Sequence, residues 1–574
     1  MLFGYLVTLI VSISFVSLMA SIAIGRKDLA AALRPCISRY SVLLLALIVS
    51  FFILFSVLFV SPVERLYFDE NIYQGIALNI MHSGNALWCQ YGTANLAYCG
   101  YGQVYHDPVG WSLFIGLAFA LFGAGTATAY GLQLFVGLMS IIGVFLLSAV
   151  LFKRKEVPVV AAAVFALNPQ LFIWSRTQAV IDLPFMMLTL FTLFFFAVFS
   201  RRETTATLAM GTFSLVLTLY TRIEAFLLVP IAIVMYFALG SGGIRRTLGK
   251  RLRMLAFGRD RLTLLLLAAV FAALVLPQAG YIYTQFSSGN YGQGTANKLF
   301  SIGNLKSNIL VNSEFFLGML GGNYAYYPVM FPFEVTILAA AGMALFAFNG
   351  GARNRFAILL VILLWIASYF LFYSFFYAGS VEFGVDSRFM LEILPPLSIA
   401  AGLGIVWVVG LAGSACRNLA GRDPNRFFAY GAVVALFILA VAYPFAAFVP
   451  YLTLAQQNLP QEGIALNAVN FIYQNYTDVP PNCLVFSFTP DIWYALNRSS
   501  AQIGYLGSTD ANFTKFAGRY SCYVLDYGYW CSVPPYQNTT CSTAISDYKL
   551  EPLVKTNRSI GSGFNFYRIL NYTN

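Results

Sequence analysis

Two adjacent carboxylates, Asp69 and Glu70, follow an apolar run that ends at Ser61. They sit within about two helical turns of a membrane boundary. Tyr73, Ala77 and Met81 continue at three- to four-residue spacing, the pattern of an amphipathic helix lying near the interface. A Gly-rich connection leads to His106-Asp107-Pro108, and Trp111 opens a second short apolar segment. An acid pair here reads either as solvated charge at a helix end or as a base for a hydroxyl.

Other charges gather at the ends of apolar runs. Arg176 and Asp182 lie in WSRTQAVID, Arg222 and Glu224 in YTRIE, and Glu382, Asp386 and Arg388 in EFGVDSRF. An ionisable group costs about 2.5–3.5 kcal/mol at the bilayer centre and less at its edge, so charges kept there are functional candidates. The plainer reading of Arg222–Glu224 and Asp386–Arg388 is mutual neutralisation or headgroup binding. Together the groups make a pocket with carboxylates on one side and cations on the other. That suits transfer of a sugar from a lipid phosphate. A phosphate leaving group needs cationic donors, and Arg offers a fixed fork of them. The leaving phosphate is a weak base and needs no general acid, whereas the acceptor hydroxyl needs a base. One base and one cationic clamp give a single in-line displacement that inverts the anomeric carbon.

The elements that must position these residues are membrane helices. Of 574 residues, 59% are hydrophobic and only 10% charged, with mean hydropathy +0.73, which excludes a soluble globular protein. About twelve apolar runs are long enough to span: 2–24, 41–61, 126–152, 157–174, 183–200, 204–220, 225–240, 262–283, 332–349, 356–377, 390–412 and 427–449. Arg26 and Lys27 follow the first run, so it reads as a span with its N-terminus outside and not as a cleaved signal. Alternating the spans puts 21 of 34 Lys+Arg and 5 of 23 Asp+Glu in the inner loops, as the positive-inside rule asks. It works only if 109–123 stays on the outer leaflet. The net charge of +11 lies in short loops, which argues against nucleic acid and for membrane lipids, with the basic loop 245–261 touching anionic headgroups.

The expected organisation is a transmembrane module over 1–450, with a first outer loop at 62–125, and an outer α/β domain over 451–574. Alternation at 483–488 and 520–525 predicts strands, and 462–475 reads as a helix. Six N-x-S/T sequons, at Asn475, Asn497, Asn512, Asn538, Asn557 and Asn571, all lie in that tail. Six of eight cysteines fall outside; Cys89–Cys99 could close the first loop, and Cys483, Cys522, Cys531 and Cys541 could pair among themselves in an order left open. The outer loop 284–331 reads either as a cover for the site or as packing beneath the tail.

The pattern D-E-x-x-Y-x-x-x-A at 69–77, then a small-residue turn, a basic residue, x-Pro and an aromatic, resembles the first outer loop of polyprenyl-phosphate-dependent GT-C glycosyltransferases. Protein O-mannosyltransferases and lipid A aminoarabinose transferases carry it, with Pro where this chain has Asp107. The resemblance implies a polytopic GT-C fold. It implies Asp69 as catalytic base, Glu70 in support, a second acid at Asp182, and His106, Arg222 and Arg388 around the donor phosphate, to which the charge pattern adds Arg176. Tyr73, Glu224 and Asp386 would position substrate. No cofactor is required; a divalent metal, if present, would rest on Asp69 and Asp182. The expected partners are a polyprenyl (dolichyl) phosphate sugar and an acceptor that could be protein, glycolipid or glycan.

The alternatives are an oligosaccharyltransferase or glycan ligase with a pyrophosphate donor, and a transporter. Oligosaccharyltransferases carry WWDYG early in the outer domain, where this chain reads FSFTPDIWY at 486–494. A transporter would place its charges near the bilayer midplane, often in repeated halves. The expected location is a plasma membrane, multi-pass, with site and tail extracytoplasmic. Sequons on the tail without a cleaved signal fit an archaeal membrane, a eukaryotic secretory membrane being the other reading.

Overall fold

The computed structural model describes residues 2–239, 261–287, 300–317, 333–348, 353–420 and 460–570, with short breaks that include 63–66, His106, 381–387, 532–539 and 555–563. The loop expected at 245–261 and the span at 427–449 lie largely outside the described residues, whereas the loop expected at 284–331 is described at 284–287 and 300–317, where helix Ile302–Phe316 packs on helix Arg353–Phe375.

Seven described helices are long and apolar enough to cross a membrane, among them Leu2–Ile24, Arg39–Phe59, Thr126–Leu151 and Asp182–Arg201. Glu156–Ala166 and Pro169–Ser175, bent by 62°, act as one further span if taken together. Asn168 caps the second piece and Pro169 opens it, so the break has a local cause: Pro cannot donate to the preceding turn. Thr205–Leu219, Ile223–Phe237 and Phe333–Phe348 are shorter apolar helices on other expected spans. Gly110–Phe122 has 13 residues, about 20 Å of helix, too short for a hydrocarbon core of about 30 Å.

The helices are graded by burial. Asp182–Arg201 is apolar around most of its girth and largely buried, whereas Arg39–Phe59 faces outward along most of its length. Leu394–Ala420 packs against Phe333–Phe348 and Glu156–Ala166 through small residues: a side chain on Gly404 would strike the Leu338 carbonyl, and one on Gly402 would strike Ala161. Close backbone approach replaces hydrophobic driving force where the surroundings are themselves apolar.

The tail is α/β, and its sheet is not its own alone. Seven strands run in the order β2-β1-β4-β3-β5-β7-β6. Here β1 is Trp88–Gly92 and β2 is Cys99–Gln103, both from the first loop, while β3 (Cys483–Ser487), β4 (Ser499–Gln502), β5 (Cys522–Tyr527), β6 (Leu550–Pro552) and β7 (Asn565–Ile569) come from the tail. The hairpin pairs Trp88 with Gln103 and Gly92 with Cys99, is closed by the Cys89–Cys99 disulfide, and joins the tail through Tyr91 opposite Ala501. Strands β4, β3 and β5 are parallel. Cys483 and Cys522 are register partners on β3 and β5 and are bonded, as are Cys531 and Cys541.

A second contact ties the tail to the first loop. Helix Pro490–Ala495 packs on helix Tyr67–Ser83 at Gly75, where any Cβ would collide with the Asp491 carboxylate. Asp491 accepts the Trp88 indole N–H at 3.0 Å, and burial pushes its carboxyl well above the usual range. The helix that carries Asp69 and Glu70 is thereby held by the tail of the chain.

Candidate active site

Asp69 and Glu70 stand in the first turn of helix Tyr67–Ser83. Glu70 is fully buried, while Asp69 keeps a quarter of its side chain exposed. Both oxygens of Asp69 are engaged. Oδ2 accepts Arg388 Nη1 at 3.1 Å, and Oδ1 accepts the Tyr105 hydroxyl at 3.3 Å. One turn on, Tyr73 donates to Asp107 Oδ2 at 2.7 Å. Burial, with Asp69 and Asp107 beside it, pushes the Tyr105 phenol well above its ordinary value, and the Tyr73 phenol likewise. Both therefore act as neutral donors. The backbone of this loop is pinned from the membrane side: the Tyr281 hydroxyl lies 3.0 Å from the Val104 carbonyl oxygen and 3.1 Å from that of Tyr105.

A second cluster lies at the start of helix Asp182–Arg201. Arg222 bridges Asp182 and Glu224, with Nη2 3.0 Å from Glu224 Oε1 and Nε 3.3 Å from Oε2. Tyr373 donates to Glu224 at 3.4 Å. Asp182 is set in place by the segment before it. Trp111 Nε1 donates to the Ala179 carbonyl at 3.2 Å, Gln133 donates to that of Val180, and Gln74 donates to Gln178 at 2.9 Å. That last bond links the segment to helix Tyr67–Ser83.

The Phe389 ring joins the clusters: the Arg388 guanidinium stands 4.7 Å from its centroid and that of Arg222 5.2 Å. Glu392, one turn beyond Arg388, is buried among Tyr369 and the Arg222 cluster.

The geometry brings together Asp69, Tyr73 and Arg388 in one group and Asp182, Arg222 and Glu224 in another. It turns Arg176 elsewhere, its Nε donating to the Val60 carbonyl at 3.0 Å, at the end of helix Arg39–Phe59. His106 and Asp386 lie outside the described residues. Tyr105, Asp107, Tyr281, Tyr373 and Glu392 are added by the structure. Asp107 carries a legible signal, a charge beside Pro in an apolar setting; the tyrosines, among 35 in the chain, carry none. Of the sequons, Asn497 and Asn512 are exposed and Asn475 half-buried, while Asn538, Asn557 and Asn571 lie outside the described residues. Among the described residues, no three of His, Cys, Asp or Glu converge as metal donors.

Residues 106–277 match the family model of dolichyl-phosphate-mannose-protein mannosyltransferases. No curated protein sequence matches the chain. Among solved structures it is similar to ArnT from Cupriavidus metallidurans bound to undecaprenyl phosphate, with a TM-score of 0.53 at 14% identity over 92% of this chain and 98% of that one. The apo form of ArnT gives 0.52 at 15% identity, over 92% of this chain and 97% of that one. The Archaeoglobus fulgidus oligosaccharyltransferase gives 0.50 at 13% identity over 85% of this chain and 70% of that one. The chain shares the fold of these membrane glycosyltransferases.

Proposed function

We propose that the protein transfers a sugar from a polyprenyl (dolichyl) phosphate to an acceptor hydroxyl at the extracytoplasmic face of the membrane, inverting the anomeric carbon. The observation that carries this is the Asp69–Arg388 contact at 3.1 Å, which puts a base and a phosphate ligand within one side chain's reach. Arg388 takes the donor phosphate. Asp69, released from it, accepts the proton of the acceptor hydroxyl as that oxygen attacks the anomeric carbon and the phosphate leaves. Tyr105 steadies the carboxylate, and Arg222 braces the site through Asp182 and Glu224.

Two findings on other proteins support the donor class: ArnT of the same fold was solved with undecaprenyl phosphate, and the matching family model is named for a dolichyl-phosphate sugar. Pyrophosphate-linked donors and transfer to Asn fit less well, because the chain reads FSFTPDIWY in place of WWDYG. The test is a reconstituted assay with polyprenyl-phosphate sugars and polyprenyl-pyrophosphate glycans side by side. Consumption of the monophosphate donors alone, lost in Asp69→Asn, is the expected result; consumption of the pyrophosphate donors alone refutes the proposal.

A further inference from the structure

Asp491 lies in FSFTPDIWY, the stretch at 486–494 to which the proposed function gives no task. It is 3% exposed and pairs with no cation among the described residues. An acid buried that deeply costs more than one hydrogen bond returns, and an apolar side chain would pack there at less cost. What the carboxyl adds is direction. It takes the indole N–H of Trp88 at 3.0 Å, across 403 residues of chain, and so fixes how that ring stands.

From Trp88 a train of contacts runs to the proposed base. The indole meets the Tyr105 ring edge-on, with centroids 5.8 Å apart and planes at 83°. Tyr73 meets the same ring at 6.1 Å and 83°. Edge-to-face contacts of this kind favour one orientation over others. Each flanking ring is held by its own acid, Trp88 by Asp491 and Tyr73 by Asp107 at 2.7 Å. The phenol between them donates to Asp69 Oδ1 at 3.3 Å. All three rings are buried, so none turns without moving its neighbour.

We infer that Asp491 is a positioning residue for Asp69: it orients Trp88, Trp88 orients Tyr105, and Tyr105 holds the carboxylate where the acceptor hydroxyl must meet it. The tail thereby sets the geometry of the base without touching substrate. This rests on the transfer reaction proposed above. Burial pushes the Asp491 carboxyl up, so the neutral carboxamide of Asn, with the same acceptor oxygen, is its closest copy.

The experiment is a double-variant cycle on the full-length protein in reconstituted membranes, with the polyprenyl-phosphate sugar that the unaltered protein consumes. Asp491→Ala should lower kcat roughly tenfold, the scale of one hydrogen bond lost in the transition state. KM for the donor should stay within about twofold, since Arg388 is not on this path. Asp491→Asn should keep kcat within about twofold of the unaltered protein. Tyr105→Phe should lower kcat roughly tenfold, and adding Asp491→Ala to it should lower kcat no further. Were Asp491 merely structural, the two losses would multiply to about a hundredfold. That multiplication overturns the inference, as does unaltered kcat in Asp491→Ala, or an Asn variant as slow as the Ala one. If Asp491→Ala does not fold, Trp88→Phe, which removes the N–H and leaves a ring against Tyr105, takes its place in the cycle with the same expected outcomes. Should the unaltered protein consume no polyprenyl-phosphate sugar, the reaction and this inference fall together; should it turn over and the losses multiply, this inference alone falls.

Discussion

Asp69→Asn separates the proposed base from its other role as partner of Arg388. The substitution keeps the shape and one acceptor oxygen, so Arg388 retains a hydrogen bond, and the Tyr105 hydroxyl can accept from the new amide. The ion pair it removes is about three-quarters buried, with 22% and 25% of the two side chains exposed. Solvent-screened pairs are worth about 0.2–1 kcal/mol; this one is only partly screened and stands at the top of that range or above, but because Asn keeps a hydrogen bond to Arg388, stability should fall by about 1 kcal/mol, a small shift in thermal unfolding. Turnover should fall far more. Losing a positioned base costs about 10²–10⁴-fold, or roughly 3–5 kcal/mol of barrier. Donor binding should move the other way. In the resting protein the carboxylate and the donor phosphate compete for Arg388, and neutralising the carboxylate frees that cation. The same pair energy, about 1 kcal/mol, then appears as about fivefold tighter binding of polyprenyl phosphate. Turnover is measured with labelled donor in reconstituted membranes, and affinity by titration with the sugar-free lipid phosphate. Wild-type turnover refutes the base. Weaker donor binding refutes the competition, even if turnover is lost.

Other perturbations should act through structure. Arg222→Met leaves Asp182 and Glu224 without their shared cation at a position only 14% exposed. Breaking a buried pair in this way costs about 3–5 kcal/mol, so detergent-solubilised protein should unfold at markedly lower temperature, unlike Asp69→Asn. Cys99→Ser opens the ten-residue disulfide loop of the hairpin and should cost about 2–3 kcal/mol; since the chain runs from β2 straight to Tyr105, activity should also fall, and reductant should mimic the loss in the unaltered protein. Asp526 accepts Ser487 Oγ at 2.7 Å and Trp493 Nε1 at 2.9 Å, yet burial pushes its carboxyl from 3.8 up to about 6. Between those values the folded tail holds a proton that the unfolded chain has released, so tail stability should fall by about 3 kcal/mol as pH rises from 4 through 6. Hydrogen exchange of the β5 amides, corrected for intrinsic rates, should show the slope, and Asp526→Asn should flatten it.

How much of this could be read from the chain depends on the range of the interaction. Helices Leu2–Ile24, Thr126–Leu151 and Asp182–Arg201 follow from apolar runs, a local property. Even the break before Pro169 is local, since Asn168-Pro169 is both a stop and a cap. In the tail, alternation at 483–488 and 520–525 and the helix at 462–475 fall within two residues of β3, β5 and helix Pro460–Asn475. What had no local signature was the pairing of β1 with β4, some 400 residues apart along the chain, which merges the first loop with the tail. Register between such distant strands rests on shape that no short window carries.

The site divides along the same line. Charge at the end of an apolar run is rare enough to mark Asp69, Asp182, Arg222 and Arg388 as candidates, but rarity does not say which cation faces which acid. Arg222 and Arg388 look equivalent in sequence, and they share the Phe389 ring in space; their surroundings differ. Arg222 is held by two carboxylates in a nearly closed pocket, and moving it onto a phosphate would strand two buried charges at several kcal/mol. Arg388 donates to a carboxylate that keeps a quarter of its side chain exposed, so an incoming phosphate exchanges that anion for another in contact with solvent. The cation better placed to exchange is thus the one paired with the proposed base. Under the proposed function, binding the donor and unmasking Asp69 become one event, so the acceptor finds a competent base only after the donor has arrived.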